Sequence, residues 1–145
     1  MRYRKGNLYI EENISKYDFI GFTANSVINK QGELVMGAGN AKACKMYYSG
    51  IEVVFGAKIG HLSEYNVATS KHYGVFALQT KINWRDKSDI SLVIRSINKL
   101  NDFAKYYPEK KIACPFPGIS HGGLSRGDLT EYIEKLPNNI DIWEY

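Results

Sequence analysis

The chain has little cysteine, little proline and few histidines. Cys44 and Cys114 are its only two cysteines in 145 residues. They lie far apart and form no CxxC pair, which excludes a disulfide-stapled scaffold and favours a reducing, cytoplasmic setting. Four prolines leave no Pro-rich linker, and no low-complexity tract or internal repeat breaks the chain. His61, His72 and His121 show no ligand spacing, so no metal site is expected. No long apolar run or leader-like segment is present, so neither membrane insertion nor secretion is expected. Charge of one sign is also scarce: the formal net charge is +4. That mild cationic bias fits a solvated surface or an anionic ligand, and gives only weak support to nucleic acid. At this length one domain, residues 1–145, is expected, and a monomer.

Two familiar phosphate loops are missing as well. GxxxxGK followed by Ser or Thr does not occur. GAGNAK supplies only the first two glycines of GxGxxG, with Lys42 at the third, and no early strand with an acid about 20 residues further on completes a dinucleotide fingerprint.

What is present is an alternation of strand-like and helix-like segments. Arg2–Tyr9 reads as an edge strand and Phe19–Thr23 (FIGFT) as a buried one. Asn40–Tyr48 places Ala41, Cys44 and Tyr48 on one helical stripe. Asn66–Ser70 and Tyr73–Gln79 read as a strand pair around a two-residue loop, Lys71-His72. Ser88–Tyr107 is the clearest helix: Ile90, Val93, Ile94, Ile97, Leu100 and Ala104 recur at helical spacing, Ser88 suits an N-cap, and Pro108 ends it. Lys111–Cys114 is strand-like, Asp128–Leu136 reads as a short amphipathic helix, and Asp141–Tyr145 as a final strand. This order argues for a layered α/β sheet, whose ligands sit at the carboxyl ends of its strands.

Two glycine-rich loops fall at such ends. Gly37–Asn40 precedes the first long helix, and PFPGISHGGLSRGD, Pro115–Asp128, follows the strand Lys111–Cys114. Either is compatible with a tight turn alone. Two at one sheet edge, each before a helix start with free N–H groups, suggest a grip on two linked phosphates.

On these residues the sequence resembles the macro domain family of ADP-ribose binders over nearly the whole chain. RYRKGNLY is similar to the family's first strand. DFIGFTANS is similar to its Asp-apolar-apolar-x-Asn-Ala-Ala-Asn stretch, MGAGNAK to its first phosphate loop, and PFPGISHGGL stands in place of the second. MGAG and the lysine in VFALQTKINW resemble the branch containing the terminal ADP-ribose protein glycohydrolase and O-acetyl-ADP-ribose deacylases. The resemblance implies a three-layer fold, a mixed central sheet flanked by helices, and no cofactor.

It also implies roles. Asn7, followed by Leu8, stands where the family has an acid that accepts from adenine; an amide oxygen also accepts, and Asn7 equally fits a turn. Asn25 matches the asparagine at the distal ribose, while Phe22 replaces a first asparagine. Gly37, Ala38 and Gly39 would close on the diphosphate. Gly118, Ile119, Ser120, His121, Gly122 and Gly123 would form the opposite wall. Trp84 fits either a stacking surface or the core. Lys81 is the implied nucleophile toward the anomeric carbon, with a surface or phosphate-pairing lysine as the alternatives. Gly122 replaces the branch's assisting aspartate, and His121, with an unperturbed pKa of about 6.5, is the nearest substitute proton carrier. The implied partner is ADP-ribose or an ADP-ribosylated target. Three activities follow: hydrolysis of ester-like links at the distal ribose, binding without turnover, or phosphatase action on ADP-ribose 1''-phosphate.

Overall fold

A computed structural model describes residues 1–119 and 122–145. The elements in chain order are β1 (Arg2–Lys5), α1 (Glu11–Ile14), β2 (Phe19–Ala24), α2 (Gly39–Tyr47), α3 (Ile51–Ile59), β3 (Val67–Ser70), β4 (Val75–Gln79), α4 (Ile90–Tyr106), β5 (Ile112–Pro115), α5 (Thr130–Ile133) and β6 (Ile140–Glu144). A single turn of 3-10 helix, Arg126–Asp128, precedes α5. The six strands form one sheet in the order β1-β6-β5-β2-β4-β3. Every neighbouring pair is parallel except β3 and β4, which are antiparallel. The sheet is mixed, as expected.

Both faces of this sheet are covered, so its inner strands read as near-continuous apolar runs. Period-two alternation sorts them. Ile20, Phe22 and Ala24 of β2, with Val75 and Ala77 of β4, face a core closed by α2 and α3 through Cys44, Ile51, Phe55 and Ile59. Phe19, Phe76 and Leu78 face the opposite core, closed by α4 and α5 through Val93, Ile97, Leu100 and Ile133. The result is the expected three-layer α/β architecture. Phe22 is fully buried and meets Phe55 edge-on at 5.2 Å between ring centroids. Its apolar role explains why no polar group stands there.

The structure moves several boundaries. β1 ends at Lys5 rather than running to Tyr9, because Asn7 folds its side chain into a turn. The β3–β4 loop is Lys71–Gly74, not a two-residue hairpin: neither Lys71 nor His72 suits a primed turn, and the amide of Gly74 instead bonds the Ser70 carbonyl at 2.9 Å. Asp89, not Ser88, caps α4; its carboxylate accepts from the amides of Ser91 and Leu92. Ile90, on the predicted stripe, is left largely exposed in the first turn. The predicted helix Asp128–Leu136 shrinks to the 3-10 turn and the four-residue α5. Among the described residues no helix is long and apolar enough to cross a membrane.

α3 was not anticipated from the sequence. Ile51, Val54, Phe55 and Ile59 recur at i, i+3, i+4 and i+8, but Lys58 falls within that face and the apolar Val53 lies off it, exposed, so the stripe is blurred. Gly56 lets it approach the turn at Gly32 so closely that a Cβ there would sit 1.9 Å from the Gly32 carbonyl oxygen. A second long-range device closes the far end of α4, where the Asn139 amide donates to the carbonyls of Ala104 and Tyr107 at 3.0 Å each. Both are tertiary solutions to local problems, the second satisfying helix-end carbonyls.

Candidate functional site

The carboxyl ends of β2, β4, β5 and β6 open into one cleft of about 1170 Å³. This is the edge where an α/β sheet places its ligands, and the volume slightly exceeds the usual range for a small-molecule site.

The first wall is the segment entering α2. Ala38 is extended, with φ −150° and ψ 162°, and Gly39 then turns to φ +57° to start the helix. No side chain caps this helix. Among the described residues no acceptor meets the amides of Gly39, Asn40 and Ala41, and all three residues line the cleft. These are the orphan donors of a helix start, carrying the positive end of its dipole. At Gly37 a Cβ would meet nothing within 4 Å; the glycine borders open cleft.

Asn40 holds this wall in place. Its Oδ1 accepts from the Thr23 amide at 2.7 Å, and its Nδ2 donates to Thr23 Oγ1 at 2.8 Å. The helix start is thereby pinned to the end of β2. Asn25 does the same for the excursion between β2 and α2: Nδ2 donates to the Val35 carbonyl at 3.1 Å and Oδ1 accepts from the Val27 amide at 2.8 Å.

The second side is the β4–α4 segment. Gln79, fully buried, accepts from the amides of Tyr65 and Asn66 and donates to the carbonyls of Ser63 and Lys81. Its amide therefore fixes the backbone from which Lys81 projects. The Lys81 ammonium donates to the Asp86 carbonyl at 3.0 Å. Trp84 is 48 % exposed at the cleft, so it is not core; the Arg85 guanidinium lies 5.0 Å from its ring centroid.

The third side is the loop after β5. Gly118 adopts φ +78°, and its carbonyl accepts from the Leu124 amide at 2.9 Å. The Ser88 amide donates to the Gly122 carbonyl at 2.8 Å. Ser120 and His121 lie outside the described residues. Because a 3-10 turn with its own Ser125 cap comes next, and only then the four-residue α5, this loop does not lead into the open helix start that the sequence suggested. The floor is Leu8, Tyr9 and Trp143. Tyr9 is buried and donates to the Gly21 carbonyl at 2.7 Å; burial pushes its hydroxyl far above the ordinary tyrosine range.

Of the residues singled out in the sequence, Leu8, Asn25, Gly37, Ala38, Gly39, Lys81, Gly118, Ile119 and Gly122 surround the cleft together. Asn7 and Gly123 lie outside its lining. Asn7 is exposed, and its Oδ1 already accepts from the Tyr9 amide at 3.0 Å. Sequence reading missed Asn40, Gln79, Thr23 and Ser88. Only Asn40 carried a signal, as a polar residue directly after the glycines. Burial raises both thiols, Cys44 and Cys114, so neither is a thiolate nucleophile at neutral pH. No group of three His, Cys, Asp or Glu able to hold a metal occurs among the described residues.

No family model and no curated protein matches the chain. Solved structures do. A Thermosipho africanus DarTG protein in complex with ADP-ribose superposes with a TM-score of 0.75 at 19% identity, over 99% of this chain and 41% of that one. The macrodomain of Thermus aquaticus DarG gives 0.73 at 22% identity, over 99% and 96%. The Mycobacterium tuberculosis DarG macrodomain gives 0.73 at 21%, over 99% and 97%. The chain therefore has the macrodomain fold, and spans well under half the length of the Thermosipho protein.

Proposed function

We propose that the cleft binds ADP-ribose and that the protein hydrolyses ester-like linkages at its distal ribose. The observation that carries the reading is the start of α2: three amides with no acceptor among the described residues, beside Gly37, where a side chain would project into open cleft. Backbone donors at a helix start suit a diphosphate. The resemblance in sequence and the ADP-ribose complex of one structural neighbour support the same ligand.

In this reading Lys81 supplies the chemistry. Its neutral amine attacks the anomeric carbon. The bond to the leaving carboxylate breaks with its electron pair, the carboxylate takes up the proton that the nitrogen gives up, and water attacks the ring-opened imine of the lysine–sugar adduct to return the amine and release the sugar. The hydrogen bond to Asp86 holds the amine at the rim of the cleft without demanding its charge, because the acceptor is a neutral carbonyl. One observation favours the second reading, binding without turnover. Gly122 brings no carboxylate, and a Cβ there would meet the Ser88 hydroxyl.

Calorimetric titration decides the ligand and single-turnover assays decide the chemistry. ADP-ribose is expected to bind in preference to AMP. No binding at millimolar ADP-ribose overturns the reading. Lys81→Ala is expected to abolish turnover of a glutamate-linked ADP-ribosyl protein, and a borohydride-trapped adduct, while leaving ADP-ribose affinity within several-fold. Full turnover by Lys81→Ala removes the nucleophile from Lys81, and its absence in the wild type leaves a binding module.

A further inference from the structure

Five charged side chains line the cleft: Lys81, Arg85, Asp86, Lys87 and Glu144. Four of the five residues are accounted for within the fold or are of the wrong sign for an anion. The Lys81 ammonium is held by the Asp86 carbonyl. The Arg85 guanidinium rests over the Trp84 ring. Glu144 is neutralised by an ion pair with Arg126. Asp86 is itself an anion. Lys87 differs: among the described residues its ammonium makes no hydrogen bond, no ion pair and no contact with an aromatic ring.

Its position is nevertheless defined. The next residue, Ser88, donates its amide to the Gly122 carbonyl at 2.8 Å. The aliphatic stem of Lys87 then runs across Gly123, where a Cβ would lie 3.4 Å from Cδ and 3.6 Å from Cγ. Gly123 has φ +75°. Two consecutive residues thus form a strap over the second glycine-rich loop, one by a backbone bond and one by an apolar stem. Lysine commonly buries its stem in this way while its head stays in solvent.

We infer that Lys87 is the cation that pairs with the diphosphate of the ligand, held over the second glycine-rich loop by the Ser88–Gly122 bond. The inference rests on the ADP-ribose reading above. It gives that loop a positive group in place of the missing helix start, so the two walls grip the two phosphates by different means: backbone amides at α2 and an ammonium opposite. It also separates the roles of the two lysines, since Lys81 need not neutralise phosphate.

The test is titration of ADP-ribose and of adenosine into wild type, Lys87→Ala, Lys87→Arg and Lys99→Ala, at ionic strengths from about 30 mM to about 500 mM, a range over which screening of exposed charges becomes strong. Lys99 is an exposed lysine of α4 outside the cleft and controls for net charge. Lys87→Ala is expected to weaken ADP-ribose about three- to tenfold at low salt, the range for a charged but solvent-accessible hydrogen bond. The deficit is expected to shrink at high salt, adenosine affinity to stay unchanged, and Lys87→Arg to retain most of the affinity. If wild type binds ADP-ribose and Lys87→Ala matches it or Lys99→Ala at all salts, the assignment to Lys87 is wrong and the ligand reading stands. If Lys87→Ala loses adenosine and ADP-ribose equally, the lysine only supports the fold, and the inference again fails. If wild type binds no ADP-ribose, the ligand reading fails and the inference fails with it.

Discussion

The Ser88 hydroxyl occupies the space that a side chain at Gly122 would need: a Cβ on Gly122 would lie 2.2 Å from Ser88 Oγ and 3.1 Å from its Cβ. The hydroxyl is buried and has no hydrogen-bond partner among the described residues. Gly122, where the sequence resemblance leads one to expect an aspartate, is therefore part of a packed pair. It is not simply a vacant position.

Restoring the aspartate is accordingly expected to fail. Gly122→Asp forces the Ser88 hydroxyl aside, an overpacking that typically costs about 1–3 kcal/mol. Chemical denaturation should show this loss, and hydrolysis of a glutamate-linked ADP-ribosyl protein should not rise. Ser88→Gly in the same chain removes both obstructing atoms and is expected to recover most of the stability. A stable, more active Gly122→Asp single variant would show that the loop yields more easily than its packing implies.

Two other glycines separate stability from ligand binding. At Gly56 a Cβ would sit 1.9 Å from backbone oxygen at Gly32, which cannot rotate away as a side chain can. Gly56→Ala is expected to destabilise the protein by about 1–3 kcal/mol or more. At Gly37 a Cβ would meet nothing, so Gly37→Ala should keep stability within about 0.5 kcal/mol. It should weaken ADP-ribose, because its methyl projects into the proposed cradle. Urea unfolding midpoints for the two variants, with a titration of the second, check both halves.

Alkaline pH is expected to unfold the protein partly through Tyr17. Its hydroxyl donates to Asp141 at 2.6 Å and accepts from the Trp143 indole at 3.0 Å. Burial, then the Asp141 hydrogen bond, pushes it up to about 12. The folded state holds this proton more tightly than the unfolded chain, whose tyrosines titrate near the ordinary value of about 10. The contribution is thus complete below about pH 10 and falls away as pH rises toward 12. Tyr17→Phe should make the decline of stability over that window shallower without removing it, since burial also raises Tyr9, Tyr48 and Tyr65. An unchanged slope in Tyr17→Phe would assign the alkaline transition to those other tyrosines.

The sequence by itself determined the layer architecture, because strands buried on both faces and a long amphipathic helix leave local periodic marks. FIGFT and the stripe from Val93 to Ala104 carry those marks, and the structure keeps both in place. It also pointed to two glycine-rich loops at one edge, since each lies between a strand and a following helix-like segment. Tertiary structure alone decided how that edge becomes a site. Asn40 reaches back 17 residues to Thr23, the Tyr65 hydroxyl reaches 40 residues to the Asn25 carbonyl, and the Ser88 amide bonds the Gly122 carbonyl at one side of the cleft. α3 belongs with these: its stripe is blurred by Lys58 and Val53, and its close seat against the Gly32 turn is set by Gly56. A hydrogen bond or a close packing between distant segments leaves no period in the chain, and it exists only once the sheet has brought its partners together.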